Sequence, residues 1–213
     1  MSTNRNQKAY IRIDGSGRDV AGSLILRNKK PGNGKWREIL AYECCNLVTT
    51  TTTENPLAVG KFYLGGIIAS SSIIDNQIMI VSLEDLGTAT WYNGSAVVTG
   101  ATATGLKTGS ANTDTIISVQ GAGTYAASLT RDNILPWGLP SKDEINEVYV
   151  NRIVINTGMA NNGGDQLNLG NYYWSSTEEG TTTAWISNFF NGSQGFPNKN
   201  GTFDVRAVRW VNI

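Results

Sequence analysis

The acidic side chains fall in groups that a hydrolase could use: Glu178 beside Glu179, and Asp143, Glu144 and Glu147 on one short segment. Two carboxylates divide acid and base work only when they flank one bond at a set separation. Adjacent acids on a turn or on a helix's first turn instead cap the helix or sit in solvent, so catalysis is not expected of them. The chain has no histidine, which removes the commonest general base and the commonest zinc ligand together. Cys44 and Cys45 are its only cysteines. Neighbouring cysteines make a poor structural disulfide and cannot complete a tetrahedral metal site, so they read as reduced. Asn198, Asn200 and Asp204 offer hard oxygens, but one carboxylate is thin for calcium. No metal and no cofactor are expected.

Basic chemistry is concentrated early. Residues 1–56 hold nine Lys and Arg against five acids, and residues 57–213 hold eight against twelve, for a whole-chain net charge of zero. The segment "RNKKPGNGKWR" (Arg27–Arg37) reads as a basic hairpin carrying one tryptophan. No larger nucleic-acid motif accompanies it, and several lysines at a hairpin tip suit a solvated edge or a docking contact. Lys29, Lys30, Lys35 and Trp36 are therefore assigned to docking, with no nucleic-acid partner. Three sequons, at Asn93, Asn191 and Asn200, coincide with Asn-Gly turn signals and are read as turns.

The elements that must position these groups follow from periodicity. "AYIRI", "SLILR" and "KWREIL" are short strands separated by Gly- and Pro-rich linkers, a three-stranded meander that is marginal alone. The threonine tract "NLVTTTTTENP" (Asn46–Pro56) has no packing period and reads as a linker. Beyond it, "KFYLGGIIA" and "QIMIVSL" are short apolar runs broken by glycine. "NTDTIISVQGAGTYAASL" spaces Ile116, Ile117, Tyr125 and Leu129 as one kinked helix or two short ones. In "LPSKDEINEVYVN", Ser141 and Glu144 make a capping box ahead of the stripe Ile145, Val148 and Tyr149. The class is α+β with few helices and many short strands. Residues 1–56 are expected to be a β-rich anchoring segment, and 57–213 an autonomous domain.

In "AWISNFFNGSQGF" (Ala184–Phe196), Trp185, Ser187 and Phe189 point to one side of a strand, and Ile186, Asn188 and Phe190 to the other. Both sides carry an aromatic, so periodicity alone leaves open which is core.

Three motifs in order, "WGLPSKDEINEVY", "YYWSSTE" and "VRAVRW", together with "LGGIIA", resemble the C-type-lectin-like domain at the C-termini of phage fibres and bacterial adhesins and in the variable proteins of diversity-generating retroelements. The resemblance covers residues 57–211. It implies two helices bracing small twisted antiparallel sheets, with a displayed surface between the "WSST" and "VRAVR" strands. By this pattern Trp185 and Phe189 are buried, and Ile186, Asn188 and Phe190 lie on the outward face; the alternative is that Phe190 packs on a neighbouring loop or subunit. With Phe196, Asn198 and Phe203 these three residues form the expected recognition surface. Trp174 is expected in a buried strand. Arg206 and Arg209 are expected in a structural ion-pair network, with Glu144 and Glu178 as candidate partners. Formylglycine-generating enzymes share the broad fold but need thiols within the domain, and both cysteines precede it. The Glu-Pro-Asn and Gln-Pro-Asp tripeptides of calcium-dependent animal lectins are absent.

The N-terminus lacks the apolar stretch of a signal peptide, and no run approaches a membrane span. A display domain made in a bacterial cytoplasm and released by lysis suggests a bacteriophage virion protein, attached to capsid, tail or fibre through residues 1–56. The expected partners are other virion proteins, further copies of the chain, and a bacterial surface protein or polysaccharide held by multivalent adhesion. The alternatives are a structural decoration protein that binds no receptor and a cell-encoded adhesin or retroelement variable protein.

Overall fold

Three short runs rich in Ile, Leu, Tyr and Trp become strands in the first part of the chain: β1 (Lys8–Arg12), β2 (Ile25–Arg27) and β3 (Trp36–Ile39). A computed structural model describes these strands together with residues 55–131 and 136–213, and the chain divides into two compact units, Met1–Asn55 and Pro56–Ile213. Pairing in the first unit is antiparallel in the order β2-β1-β3, with Tyr10 opposite Ile25 on one side and Glu38 on the other. A meander would have placed β2 in the centre, so that expectation is corrected. The Arg27–Arg37 segment is no β-hairpin, because it joins the two edges of the sheet. Its connection, residues 28–35, exceeds the two to five residues of tight hairpins and is long enough to pass β1. Lys29, Lys30, Lys35, Cys44, Cys45 and residues 46–54 of the threonine tract lie outside the described residues. Of Trp36, the backbone is placed at the start of β3, opposite Arg12.

In the second unit β4 (Phe62–Tyr63), β5 (Gly66–Ile74) and β6 (Gln77–Ser82) follow one another as antiparallel neighbours, and the last strand, β12 (Val208–Asn212), pairs with β6. Asp75 and Asn76 turn β5 into β6 with φ of 49° and 58°, a left-handed pair that Asp and Asn tolerate. Alternation along β5 and β6 separates two cores. Ile67, Ala69, Met79 and Val81 meet Ile145, Val148, Ile155 and Met159 on one side, while Ile68, Ile78 and Ile80 meet Trp137 and Val211 on the other.

The Gly-rich break divides the first helical segment into α1 (Gly109–Gln120) and α2 (Ala126–Thr130), with Gly121 at φ 71° between them. Helix α3 (Lys142–Val150) starts on the expected capping box: Ser141 Oγ accepts from the Glu144 N–H at 3.2 Å, and Glu144 Oε2 from the Ser141 N–H at 2.8 Å. Helix α4 (Arg152–Asn161) follows directly and was not anticipated. Its Ile153, Val154, Ile155 and Thr157 are mediocre helix formers, and burial of Ile155 and Met159 against the sheet overrides them. Gly158 lets the helix approach the Gly60 carbonyl, where a Cβ would stand 2.2 Å from the oxygen.

The remaining strands, β7 (Thr88–Ala89), β8 (Tyr172–Glu178), β9 (Ala184–Asn188), β10 (Gln194–Gly195) and β11 (Phe203–Asp204), form a sheet ordered β10-β9-β8-β11-β7 with one parallel pair, β8 with β11. Both of its faces are covered. Tyr173 and Phe189 enter the core with α3 and α4; Trp174 and Ile186 enter another with Trp91, Ile116, Tyr125 and Val205. The small hydroxyls after Trp174 stitch the layers: Thr177 Oγ1 donates to the Ala103 carbonyl at 2.9 Å and accepts from the Lys142 N–H at 3.0 Å. The architecture is mixed α+β, with largely antiparallel sheets and few helices, and no described helix is long and apolar enough to cross a membrane.

Candidate functional site

Glu178 and Glu179 leave the end of β8 in different environments, so they do not work as a pair. Glu178 is buried, accepts from the N–H groups of Thr99 and Gly100 at 2.9 Å, and pairs with Lys199. Lys199 is itself 1% exposed, and its Nζ also donates to the Val97 carbonyl at 3.1 Å and the Thr181 carbonyl at 2.9 Å. Burial pushes the Glu178 carboxyl up, but the Lys199 hydrogen bond, the two N–H donors and the lysine's charge together hold it below the ordinary value. One ammonium thereby ties three loops. Glu179 is exposed and accepts from Trp185 Nε1 at 2.7 Å.

Glu144 is also buried, and it meets N–H groups only: Ser141, Lys107 at 2.8 Å and Trp210 Nε1 at 2.7 Å. Burial pushes its carboxyl above the ordinary value, against the pull of these donors. Neither acid meets an arginine, which corrects the expected network. Arg206 is buried and donates to the carbonyls of Ser82, Leu83 and Asp165 at 3.2–3.3 Å and to Asp85 at 3.4 Å. The reason is adjacency: the Ser82 N–H bonds the Ala207 carbonyl, so Arg206 emerges beside the end of β6. Arg209 donates to the Leu64 carbonyl at 2.6 Å and lies over the Trp137 ring. Asp204 is buried and accepts from Asn171 at 3.0 Å, away from Asn198 and Asn200. Among the described residues no three His, Cys, Asp or Glu converge as a metal site.

The strand β9 departs from the expected in-out assignment. Phe189 is buried, 4.3 Å from the Tyr173 ring, and Phe190 is 76% exposed. Ile186 and Asn188, expected outward, are both buried. Ile186 packs in the Trp174 core, and Asn188 turns its Oδ1 to the Phe190 N–H. Trp185, expected in the core, is only half-buried. Its ring meets Phe196 edge-on at 5.0 Å, with Lys142 Nζ 3.8 Å above it. The expectation fails because both faces of this sheet are covered, and α3 covers the Phe189 side only as far as its first residue, Lys142.

The six expected recognition residues are therefore not brought together. Phe196, 52% exposed, and Asn198 follow β10 on the strand that runs beside Trp185 and Thr183. Phe190 lies beyond the other end of β9, five residues and roughly 15 Å of strand away from Trp185. Phe203 is half-buried at 4.8 Å from Trp174. Trp174 is buried, and its Nε1 donates to the Ala89 carbonyl. Lys199 was overlooked in the sequence because a lysine among Asn, Pro and Gly reads as a solvated turn residue.

No protein-family model and no curated protein matches the chain. Among solved structures it is similar to a fimbrial protein from Bacteroides ovatus ATCC 8483, with a TM-score of 0.49 and 14% identity over 76% of this chain. The match spans 41% of that protein's length.

Proposed function

We propose that residues 56–213 are a C-type-lectin-like display domain that holds a bacterial surface receptor by contact alone, and that residues 1–55 fasten it to a bacteriophage virion among other copies of the chain. The observation that carries the binding reading is the pair of half-buried Trp185 and exposed Phe196, flanked by Lys142 and Glu179. Large aromatic side chains supply most of the contact energy at recognition surfaces, and charged neighbours orient a partner. Trp185 stands on β9 and Phe196 directly follows β10, and Gln194 Nε2 ties β10 to the start of α3 through the Lys142 carbonyl at 3.0 Å. Little ordering cost then accompanies binding. The lectin-like reading is supported by the motif order, with "YYWSSTE" as β8 beside β11 and "KDEINEVYV" as the bracing helix α3. The virion reading rests on the resemblance and on the opposite charge of the two units.

The test uses labelled full-length chain on a panel of intact bacteria. Binding to some strains that falls at least tenfold in Trp185→Ala and Phe196→Ala, with thermal unfolding unchanged in Phe196→Ala, supports the reading. Binding to no strain, with antibody labelling of phage particles in a lysate of gene-bearing bacteria, leaves a decoration protein instead. Absence of the chain from such particles removes the virion assignment.

A further inference from the structure

A small cavity of about 240 Å³ opens between the loop after β7, the β8–β9 turn and the loop after β10, lined by Tyr92, Ala96, Thr182, Asn198, Lys199 and Asn200. We infer that it is a subsite for one ring of a neutral saccharide, an inference that rests on the adhesive reading above and names the class of receptor it would hold. The volume is below the roughly 300–1,000 Å³ of pockets that engulf a whole drug-sized ligand, so it suits a single ring of a longer chain.

The lining matches a sugar group by group. Tyr92 packs partly on the core behind it and offers an apolar surface of the kind on which the C–H face of a pyranose rests. The Asn198 and Asn200 amides each present a donor beside an acceptor, and the Thr182 hydroxyl does both at one atom. That is the pattern of vicinal sugar hydroxyls, which also donate and accept. The Tyr92 hydroxyl and the side-chain polar groups of Thr182, Asn198 and Asn200 make no hydrogen bond to another described residue, so ligand contacts would displace only water. The lining's one ionic group is fully engaged: the Lys199 ammonium meets Glu178 and the Val97 and Thr181 carbonyls. An anion gains no free positive charge there, and a cation meets no free carboxylate.

The walls are also held in place before any ligand arrives. Lys199 joins the loops at Val97, Thr181 and its own position. The Lys199 backbone N–H bonds the Thr182 carbonyl at 2.7 Å, and its carbonyl accepts from the Trp91 N–H at 3.0 Å. Asn93 ties the Tyr92 loop to the end of α1 through Gln120 and Ala122. A cavity set this way loses little freedom on binding.

The experiment measures binding of neutral hexoses, N-acetylhexosamines and glucose 6-phosphate to the full-length chain by saturation-transfer NMR and titration calorimetry. Asn198→Ala, Asn200→Ala and Thr182→Ala serve as variants, since these exposed side chains hold no other part of the fold. A neutral sugar should bind with Kd on the order of 1 mM, and each variant should weaken it about three- to tenfold, the value of one neutral hydrogen bond. Unchanged affinity in all three variants overturns the subsite, as does a preference for glucose 6-phosphate over glucose. If bacteria are bound but no neutral sugar is, and if binding survives periodate yet is lost on protease treatment of the cells, the receptor is a protein: the subsite falls while adhesion stands. Sugar binding without cell binding does the reverse.

Discussion

At the Asn188 end of β9 the face that carries Trp185, Ser187 and Phe189 is roofed by α3, where Tyr149 meets Phe189 edge-on at 5.7 Å. At the Ala184 end the same face runs out past the first residue of that helix, and Trp185 has the Lys142 ammonium above it and Phe196 beside it. Two aromatics on one strand face, four residues apart, thus do different work. The difference is set by the length of a neighbouring helix and not by strand periodicity. A helix that ends partway along a sheet leaves a half-buried aromatic anchored at its edge.

The sharpest way to break this contrast is Phe189→Ala. Its cavity would lie against Tyr149 and Tyr173, and unfolding in denaturant should show a loss of about 4 kcal/mol. A loss as small as that of Trp185→Ala would mean the two ends are equally covered. Next comes Lys199→Met, which leaves Glu178 buried with two N–H donors but no cation. The expected loss is about 3 kcal/mol at neutral pH, accompanied by faster proteolysis in the loops near Val97 and Thr181. The acid response tests the cause. The Glu178 carboxyl is held below its ordinary value of 4.5 in the folded chain, so its contribution is present above about that pH and is lost as pH falls through the folded value. In Lys199→Met burial is no longer opposed by the lysine, so the variant's deficit should shrink as pH falls from 7 toward 4.5. A deficit independent of pH would assign Lys199 a packing role alone.

Gly192→Ala probes the roof itself. Gly192 has φ 80°, and a Cβ there would stand 2.4 Å from the Tyr149 ring. Strain and displacement of that ring should cost about 2 kcal/mol, with NMR shifts of the Tyr149 and Phe189 ring protons reporting the movement. The smallest effect is expected for Phe190→Ala, which should change stability by no more than about 0.5 kcal/mol. A larger loss would place Phe190 against the chain or against a second copy.

The local code was legible where one element determines its own geometry. The Ser141–Glu144 box, the Ile145 and Val148 stripe, the strands of the first unit and the division around Gly121 all follow from neighbours in sequence. Helix α4 escaped because its β-branched residues argue against a helix, and only the docking of Ile155, Gly158 and Met159 on the sheet outweighs them. Strand order in the first unit escaped because propensity places strands but does not say which is central. Long-range pairing decided the charges as well: one acid for Lys199, another for Arg206, and a ring of N–H donors for Glu144. Period two in β9 correctly divided its side chains into two sets. Which set met solvent was decided by what packed on each face, because a sheet covered on both sides carries aromatics on both, and its alternation then holds no sign of inside or outside.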